Sequence, residues 1–475
     1  MLPRSPFPRP SEAALDRARS LLDRALGASK VIAGPEACAA YGGDESDQEP
    51  AVPDIVVLAA SAEDIAKALS AANEAGVPIT PRGAGSGKSG GCVPVGGGIV
   101  LATQGMSKIV EIERDELVAV VEPGVILSDL HAAVEAEGLF YPPDPNSVKM
   151  CALGGNIAEN ASGPRCFKYG PTRDYVLGLD VVTIDGTRLS VGKRTVKGVT
   201  GYDVTSLLVG SEGTLAVTTR ATLKLIPKPE SVATLLALFE DVNDCGAAVS
   251  AMVAARLRPR CIELLDAATL QAVRDRGLPI DARAGAMLLI EVDGCLSACE
   301  SEMERVGQVC SDARAIDVLA AQDAGQRERL WEARRMLSVA TRAMARYKIS
   351  EDVVVPRPRL PELLRSIDHI ARTTAVRMLS YGHAGDGNLH VNLLWDDPDQ
   401  APRVEQALGL LFRSVMSLRG TLSGEHGIGL SKAAYLPLEQ SGELIALQHR
   451  LKAVFDPRGL LNPHKIFPRK GHGAC

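Results

Sequence analysis

A chain of 475 residues exceeds what one hydrophobic core normally serves, so at least two domains are expected. Hydrophobic residues at 46% and charged residues at 23% fit a folded globular protein and exclude a disordered or collagen-like one. A net charge of −6 offers no basic face and removes the reason to expect nucleic acid as a partner.

The opening MLPRSPFPRP lacks the apolar run of a signal peptide, so a cytoplasmic protein is expected, peripheral to the inner membrane only through a partner subunit. Leu15, Ala18, Leu22 and Leu26 have helical spacing behind a Ser11 cap. Ile55–Leu58 reads as a strand, Ser61 with Asp64 three residues on opens a helix that closes near Gly76, and Val77–Thr80 reads as a second strand. The run PRGAGSGKSGG follows. Its glycines at 83, 85, 87, 90 and 91 let successive amides converge on phosphate oxygens with no Cβ in the way. It nearly spells a P-loop, ending in Gly87-Lys88-Ser89, but Arg82 stands where the first glycine belongs, and GGCVPVGGG cannot run on as the helix a P-loop requires. A nucleotide hydrolase is therefore rejected.

Short strands are expected in GGIVLAT and LVAVVEPG, and VLGLDVVTIDGTRLSVG reads as a hairpin about Asp185-Gly186. LGGNIAENASG and LLVGSEGTLAV add two more glycine-rich polar turns. Three such turns within one stretch point to a single extended ligand touched in several places. A strand over Thr214–Ile226 ends at Pro227-Lys228-Pro229, a candidate linker and domain boundary. Beyond it the order strand, helix (Asn243–Ala255), strand CIELL, strand AMLLIEV, helix (Leu296–Val309), strand suggests a ferredoxin-like half. A helix over Asp323–Ala345, a strand EDVVV, another helix, and strands VRMLSY and NLHVNLLW complete it.

The segments SYGHAGDGNLHVNLLW and GTLSGEHGIG hold three of the eight histidines. On an extended strand His390 and Asn392 point to one side, and the AGDG turn lets His383 fold back toward them. Two imidazoles and the Glu425 carboxylate make a facial triad suited to Zn, Mn or Fe, with His426 beside the metal and not ligating it. The ten cysteines include no C-x-x-C pair, which argues against an iron–sulfur cluster in this chain.

PRGAGSGKSGG, PPDP, GGNIAENASG, YGPTRDYVLGLDVV and GSEGTL together resemble the FAD-binding domain of the vanillyl-alcohol oxidase / p-cresol methylhydroxylase superfamily. The later segments resemble the branch with the glycolate oxidase flavin subunit, D-lactate dehydrogenase and D-2-hydroxyglutarate dehydrogenase. The resemblance runs from about residue 45 to 467. It implies an α+β fold: a two-subdomain FAD-binding domain of the vanillyl-alcohol oxidase type plus a ferredoxin-like antiparallel-sheet cap domain. The expected divisions are an N-terminal helical segment (1–44), the FAD domain (45–228), the substrate or cap domain (229–420) and a C-terminal segment returning to the FAD domain (421–475).

By the same resemblance Arg82, Gly83, Ala84, Gly85, Ser86, Gly87, Lys88 and Ser89 wrap the FAD pyrophosphate. Pro142, Asp144, Gly154, Gly155, Asn156, Ala161 and Ser162 line the flavin and its phosphates, Glu212, Gly213 and Val217 lie near the adenosine half, and Asn462 and Lys465 approach the ring. No His stands in the glycine loop, so non-covalent FAD is expected. LWEARRMLSVA resembles the family's substrate-binding helix, making Arg334 the anchor of a substrate carboxylate, with Arg335 as its rival and Lys348, Ser338 and Asn392 as further contacts. The implied reaction is oxidation of a small 2-hydroxyacid of the glycolate or D-lactate type, with His426 as the base and hydride passing to the flavin. Electrons then leave to a separate acceptor: an iron–sulfur subunit, an electron-transfer flavoprotein or a quinone. D-2-hydroxyglutarate dehydrogenase and a non-redox FAD enzyme of the ether-lipid synthase type are the alternatives, and a homodimer stays open.

Overall fold

The computed structural model describes residues 7–275 and 280–469; Cys475 lies outside them. The chain divides into two compact units. One, here the N-terminal unit, holds residues up to 161, then 171–228, then 425 onward; the other, the inserted unit, holds 162–170 and 229–424.

In the N-terminal unit β1 (Val31–Ala33), β2 (Ile55–Leu58), β3 (Ile79–Arg82) and β4 (Ile99–Ala102) form a sheet in the order β1-β2-β4-β3. The last three strands are parallel. Parallel neighbours need a crossover, which the helix Ala62–Ala75 supplies between β2 and β3. Ser61 caps it by accepting from the Asp64 amide, and Gly76 ends it in the left-handed conformation. The helix Glu12–Leu26, capped by Ser11, lays Ala18 and Leu22 onto Ile65 and Leu69, in a core shared with Ile55, Val57, Ile79, Ile99 and Leu101.

The two-residue strands β7 (Leu139–Phe140) and β11 (Ile226–Pro227) pair with each other. The larger sheet of the unit comprises β5 (Ile109–Glu113), β6 (Val118–Val121), β8 (Val176–Val182), β9 (Arg188–Gly192) and β10 (Val217–Lys224) in the antiparallel order β5-β6-β10-β8-β9. Along β10 buried and accessible residues alternate strictly, as a strand with one packed face requires. The β8–β9 hairpin turns at Asp185-Gly186, where the Asp185 carboxylate accepts from the Thr187 amide (3.0 Å) and Gly186 has φ +85°. The C-terminal segment adds to the edge of β3: Ile79 donates to Leu460 and accepts from the Asn462 amide, both at 2.8 Å.

The inserted unit is one antiparallel sheet of seven strands: β12 (Ser231–Phe239), β13 (Cys261–Asp266), β14 (Ala286–Gly294), β15 (Asp317–Ala320), β16 (Tyr347–Val354), β17 (Arg377–His383) and β18 (Asn388–Trp395). Their order is β15-β12-β14-β13-β17-β18-β16. The first four in that order form the ferredoxin-like arrangement, which the last three extend. Because side chains alternate, the register puts Leu238, Leu265, Met287, Leu379, Tyr381 and Leu394 on one face, packed with Leu270 and Leu337 from the helices Ala267–Arg274 and Leu337–Arg342. Residues 162–170 join this unit through Lys168 and Tyr169, which bind the two carboxylate oxygens of buried Asp293 at 2.5 and 2.9 Å.

Three local expectations change. The helix Ala267–Arg274, capped by Asp266, interrupts the two strands read as consecutive. The expected helix over Asp323–Ala345 is two, Ala324–Arg335 and Leu337–Arg342, broken at Met336 so that Leu337 enters the core while Arg334 is kept in a buried ion pair. The stretch GGNIAENASG is not all turn: Leu153–Glu159 is helical and stops at Asn160 in the left-handed conformation.

Candidate active site

The parity that places Leu265, Tyr381 and Leu394 on one face of the inserted sheet places Glu263, His383, His390, Asn392 and Lys348 on that face too. β17 and β18 are joined by the turn Ala384–Asp386 and Gly387, whose φ is +76° and where a Cβ would lie 2.1 Å from the Val355 carbonyl oxygen. Only glycine fits this return, and the return brings the two imidazoles edge to face with ring centroids 5.2 Å apart. Both rings are buried. Glu425, directly after the unit's last residue Gly424, completes a trio whose candidate ligand atoms lie within 4.8 Å of one another.

Two acids that sequence reasoning missed organise this trio. Glu263, fully buried opposite His383, places Oε1 2.5 Å from His383 Nδ1. With the Nδ1 proton directed at that carboxylate, Nε2 keeps its lone pair, the arrangement that orients metal-binding histidines. Asp352, also fully buried, accepts from the Asn388 amide group (2.7 Å), the Ser423 hydroxyl (2.8 Å) and the Gly424 amide (2.9 Å), and so fixes the two residues before Glu425.

Arg334 is 5% exposed and bonds Glu263 Oε2 through Nε and Nη2, each at 2.6 Å, with its guanidinium carbon 5.1 Å from the Tyr381 ring centroid. Its neighbour Arg335 pairs with Glu328 on the same helix. Burial pushes the Glu263 carboxyl up, but the Arg334 charge and the hydrogen bonds to Arg334 and His383 outweigh it and hold it at about 2. Lys348 Nζ donates to the Ser338 carbonyl (3.3 Å) and the Thr341 hydroxyl (2.7 Å), which brings Lys348 and Ser338 together. Asn392 Nδ2 donates to the His390 carbonyl at 3.1 Å.

In the N-terminal unit the glycine loop leaves β3 without a following helix. Arg82 turns under the loop to donate to the Gly43 carbonyl, and a Cβ on Gly85 would meet its Nη2 at 2.1 Å. Lys88 lies 3.7 Å from Glu45, and a Cβ on Gly83 would stand 3.6 Å from the Gly155 amide nitrogen. Gly154 is pressed against Pro123, whereas Gly155 has nothing within 4 Å of where its Cβ would stand. Pro142 and Ala161 are buried, Asp144 and Ser86 partly so, and Val217 packs into the core. Ser162 belongs to the inserted unit.

The Glu212 carboxylate accepts from the amides of Ile428 and Gly429, and Asn462 Nδ2 donates to the Gly91 and Glu212 carbonyls. Burial lowers Lys465 to about 8, and its ammonium donates to the Val93 carbonyl. His426 Nε2 stands 3.7 Å from Glu425 Oε1. The open side of Gly155 beside the glycine loop fits an extended cofactor running past both. So do the buried Ser89 Oγ and Asn462 Oδ1, which have no hydrogen-bond partner among the described residues.

Comparison with known proteins sets the class. The model for FAD binding domains matches residues 53–192, and that for the C-terminal domain of FAD linked oxidases matches residues 228–466. The chain belongs to the FAD-linked oxidase family and is an FAD-linked oxidoreductase. Among its relatives, glycolate oxidase subunit GlcD of Bacillus subtilis is 44% identical over 437 residues, covering 90% of this chain and 92% of that protein. D-lactate dehydrogenase of Archaeoglobus fulgidus is 36% identical over 417 residues, covering 87% and 91%. The solved structure of p-cresol methylhydroxylase superposes with a TM-score of 0.83 at 15% identity, over 96% of this chain and 97% of that one, which bears out the fold read from the motifs. No helix among the described residues is long and apolar enough to cross a membrane.

Proposed function

We propose that the chain oxidises a small 2-hydroxyacid of the glycolate or D-lactate type to the 2-oxoacid and passes the electrons to a separate acceptor. The observation that carries this is the buried chain Arg334–Glu263–His383, which couples an anion-binding guanidinium to a candidate metal ligand on one sheet face. The identity to glycolate oxidase subunits and D-lactate dehydrogenases supports the substrate class, and the word subunit in the former supports an acceptor on a partner chain, of the iron–sulfur, electron-transfer flavoprotein or quinone kind.

Arg334 commits Nε and one Nη to Glu263 and keeps further N–H donors for a substrate carboxylate, while Glu263 fixes the plane of the fork. Asn392 and Lys348 add donors on the same face. His426 receives the proton of the C2 hydroxyl, a task suited to an imidazole near neutral pH. When bound, FAD supplies the acceptor for the hydride that leaves C2. His383, His390 and Glu425 would hold a divalent cation of the Zn, Mn or Fe kind, whose charge makes a neighbouring hydroxyl a stronger acid.

The test is anaerobic mixing of purified holoenzyme with glycolate, D-lactate, L-lactate and D-2-hydroxyglutarate while the yellow absorbance is followed. Bleaching by glycolate or D-lactate is expected, slowed about 10²-fold or more in His426→Ala. Bleaching by D-2-hydroxyglutarate alone would shift the substrate class. If none of the acids bleaches a flavin that dithionite does, the proposal is wrong.

A further inference from the structure

We infer that Glu212 is a positioning residue for His426, its carboxylate fixing the loop that carries the imidazole. The inference rests on the reading of His426 as proton acceptor and extends it to a residue in a different motif.

The loop GEHGIG turns through Gly427 (φ +79°) and Gly429 (φ +48°), conformations that glycine adopts readily but does not by itself hold fixed. Glu212 grips it just past the imidazole: Oε1 accepts from the Ile428 amide at 2.8 Å and Oε2 from the Gly429 amide at 2.7 Å. Two adjacent amides on one carboxylate is a bidentate, charge-assisted clamp. The clamp is itself rigid. Glu212 is 7% exposed and held at φ +52°, its amide bonded to the Ala158 carbonyl and its carbonyl to Asn462 Nδ2, each at 2.8 Å.

A second carboxyl group stands beside the first. A Cβ on Gly427 would lie 2.2 Å from Glu159 Oε2 and 3.1 Å from Glu212 Oε1, so both acids face the residue next to His426. Glu159 Oε2 is buried and has no hydrogen-bond partner among the described residues. Burial, then the nearby Glu212 and Asp44 charges, push Glu159 well above the usual carboxylate range. Burial raises Glu212 above the ordinary carboxylate value as well, opposed in part by the two loop amides and the charges of Lys465 and Lys432. Beyond Gly429 the loop is tied again, by Leu430 and Ser431 amides to the Ser89 carbonyl and by the Ile466 amide to the Gly429 carbonyl. Four separated segments thus converge on residues 427–431, with the Glu212 carboxylate bonded to the backbone of the second and third residues after His426.

The experiment compares Glu212→Gln, His426→Ala and the double variant as FAD-loaded protein, by the rate and substrate dependence of anaerobic flavin reduction and by flavin content. Gln offers one acceptor where two are needed and sets its NH2 against an amide donor. E212Q is expected to slow reduction per bound flavin about 30-fold, since a shift approaching 1 Å costs on that order, with apparent substrate Kd within about twofold of the parent. In the His426→Ala background the same change should cost less than about threefold, because a residue that acts through His426 has nothing left to position. Glu212→Asp, which keeps both acceptors on a shorter arm, should recover part of the loss and serves if E212Q fails to fold. Equal losses in both backgrounds, loss of FAD, or no loss at all would each overturn the inference. If His426→Ala alone leaves the rate unchanged, it is the role of His426 that fails.

Discussion

Replacing Glu263 by Gln tests the center of the site most directly. The residue is fully buried and neutralises a guanidinium that is itself 5% exposed, so Glu263→Gln leaves a buried positive charge with one neutral acceptor. Breaking a buried pair from one side costs about 3–5 kcal/mol, and the retained hydrogen bond puts this case near 3 kcal/mol. At about 2–4 °C per kcal/mol for a unit near 200 residues, the thermal midpoint of the inserted unit should fall by about 6–12 °C. Thermal unfolding of holoenzyme at fixed FAD and metal concentration measures it. The decisive comparison is Glu263→Gln with Arg334→Met. If the cost is an uncompensated charge, the double variant should be more stable than E263Q alone, because the charge is gone. A double variant destabilised by the sum of the two single changes would refute that reasoning and make Glu263 a packing residue.

Two further outcomes are expected. Dialysis against a strong chelator should release a divalent cation and abolish most flavin reduction by a 2-hydroxyacid, with His390→Ala retaining at least tenfold less metal by elemental analysis; a chelated enzyme of unchanged rate would dismiss the metal. In the N-terminal unit, burial pushes Asp64 up, but the Lys30 ammonium and the Ala60 and Ser61 hydrogen bonds outweigh it and hold the carboxyl below its ordinary 3.8. A depressed carboxyl stabilises the fold fully above that ordinary value and ceases to do so as pH falls through its folded value. Asp64→Asn should therefore lower the urea midpoint at pH 7 by the equivalent of roughly 1 kcal/mol, with the gap from the parent closing as pH falls below that ordinary value. A gap constant with pH would show that packing, not charge, is lost.

Local rules carried much of the fold. Ser11, Ser61 and Gly76 mark helix ends because caps are satisfied within a few residues, and Asp185-Gly186 marks a hairpin because its turn demands a positive φ at the glycine. The break at Met336 was not legible from local spacing; just before it Arg334 is tied to Glu263, 71 residues away in the chain. The helix inside GGNIAENASG was hidden for a similar reason: two glycines oppose helix on propensity, yet a Cβ on Gly154 would strike Pro123, so packing selects the glycine.

The site shows a sharper division. His383, His390 and Glu425 could be read because imidazoles and carboxylates clustered in glycine-rich turns have few structural uses. Glu263 and Asp352 were passed over because each sits in a stretch, CIELLD or SEDVVV, that reads simply as a strand. Yet the strand reading contained the signal. An acid buried in the interior of a strand is cut off from solvent and must find a cation, a histidine or amide donors nearby. Glu263 finds Arg334 and His383 on neighbouring elements, and Asp352 finds Asn388, Ser423 and Gly424. Each acid of this kind lies one hydrogen bond, or one peptide link, behind a residue that was legible. Once the motifs name the outer residues, an acid in a strand of the same domain is the place to look for what holds them in position.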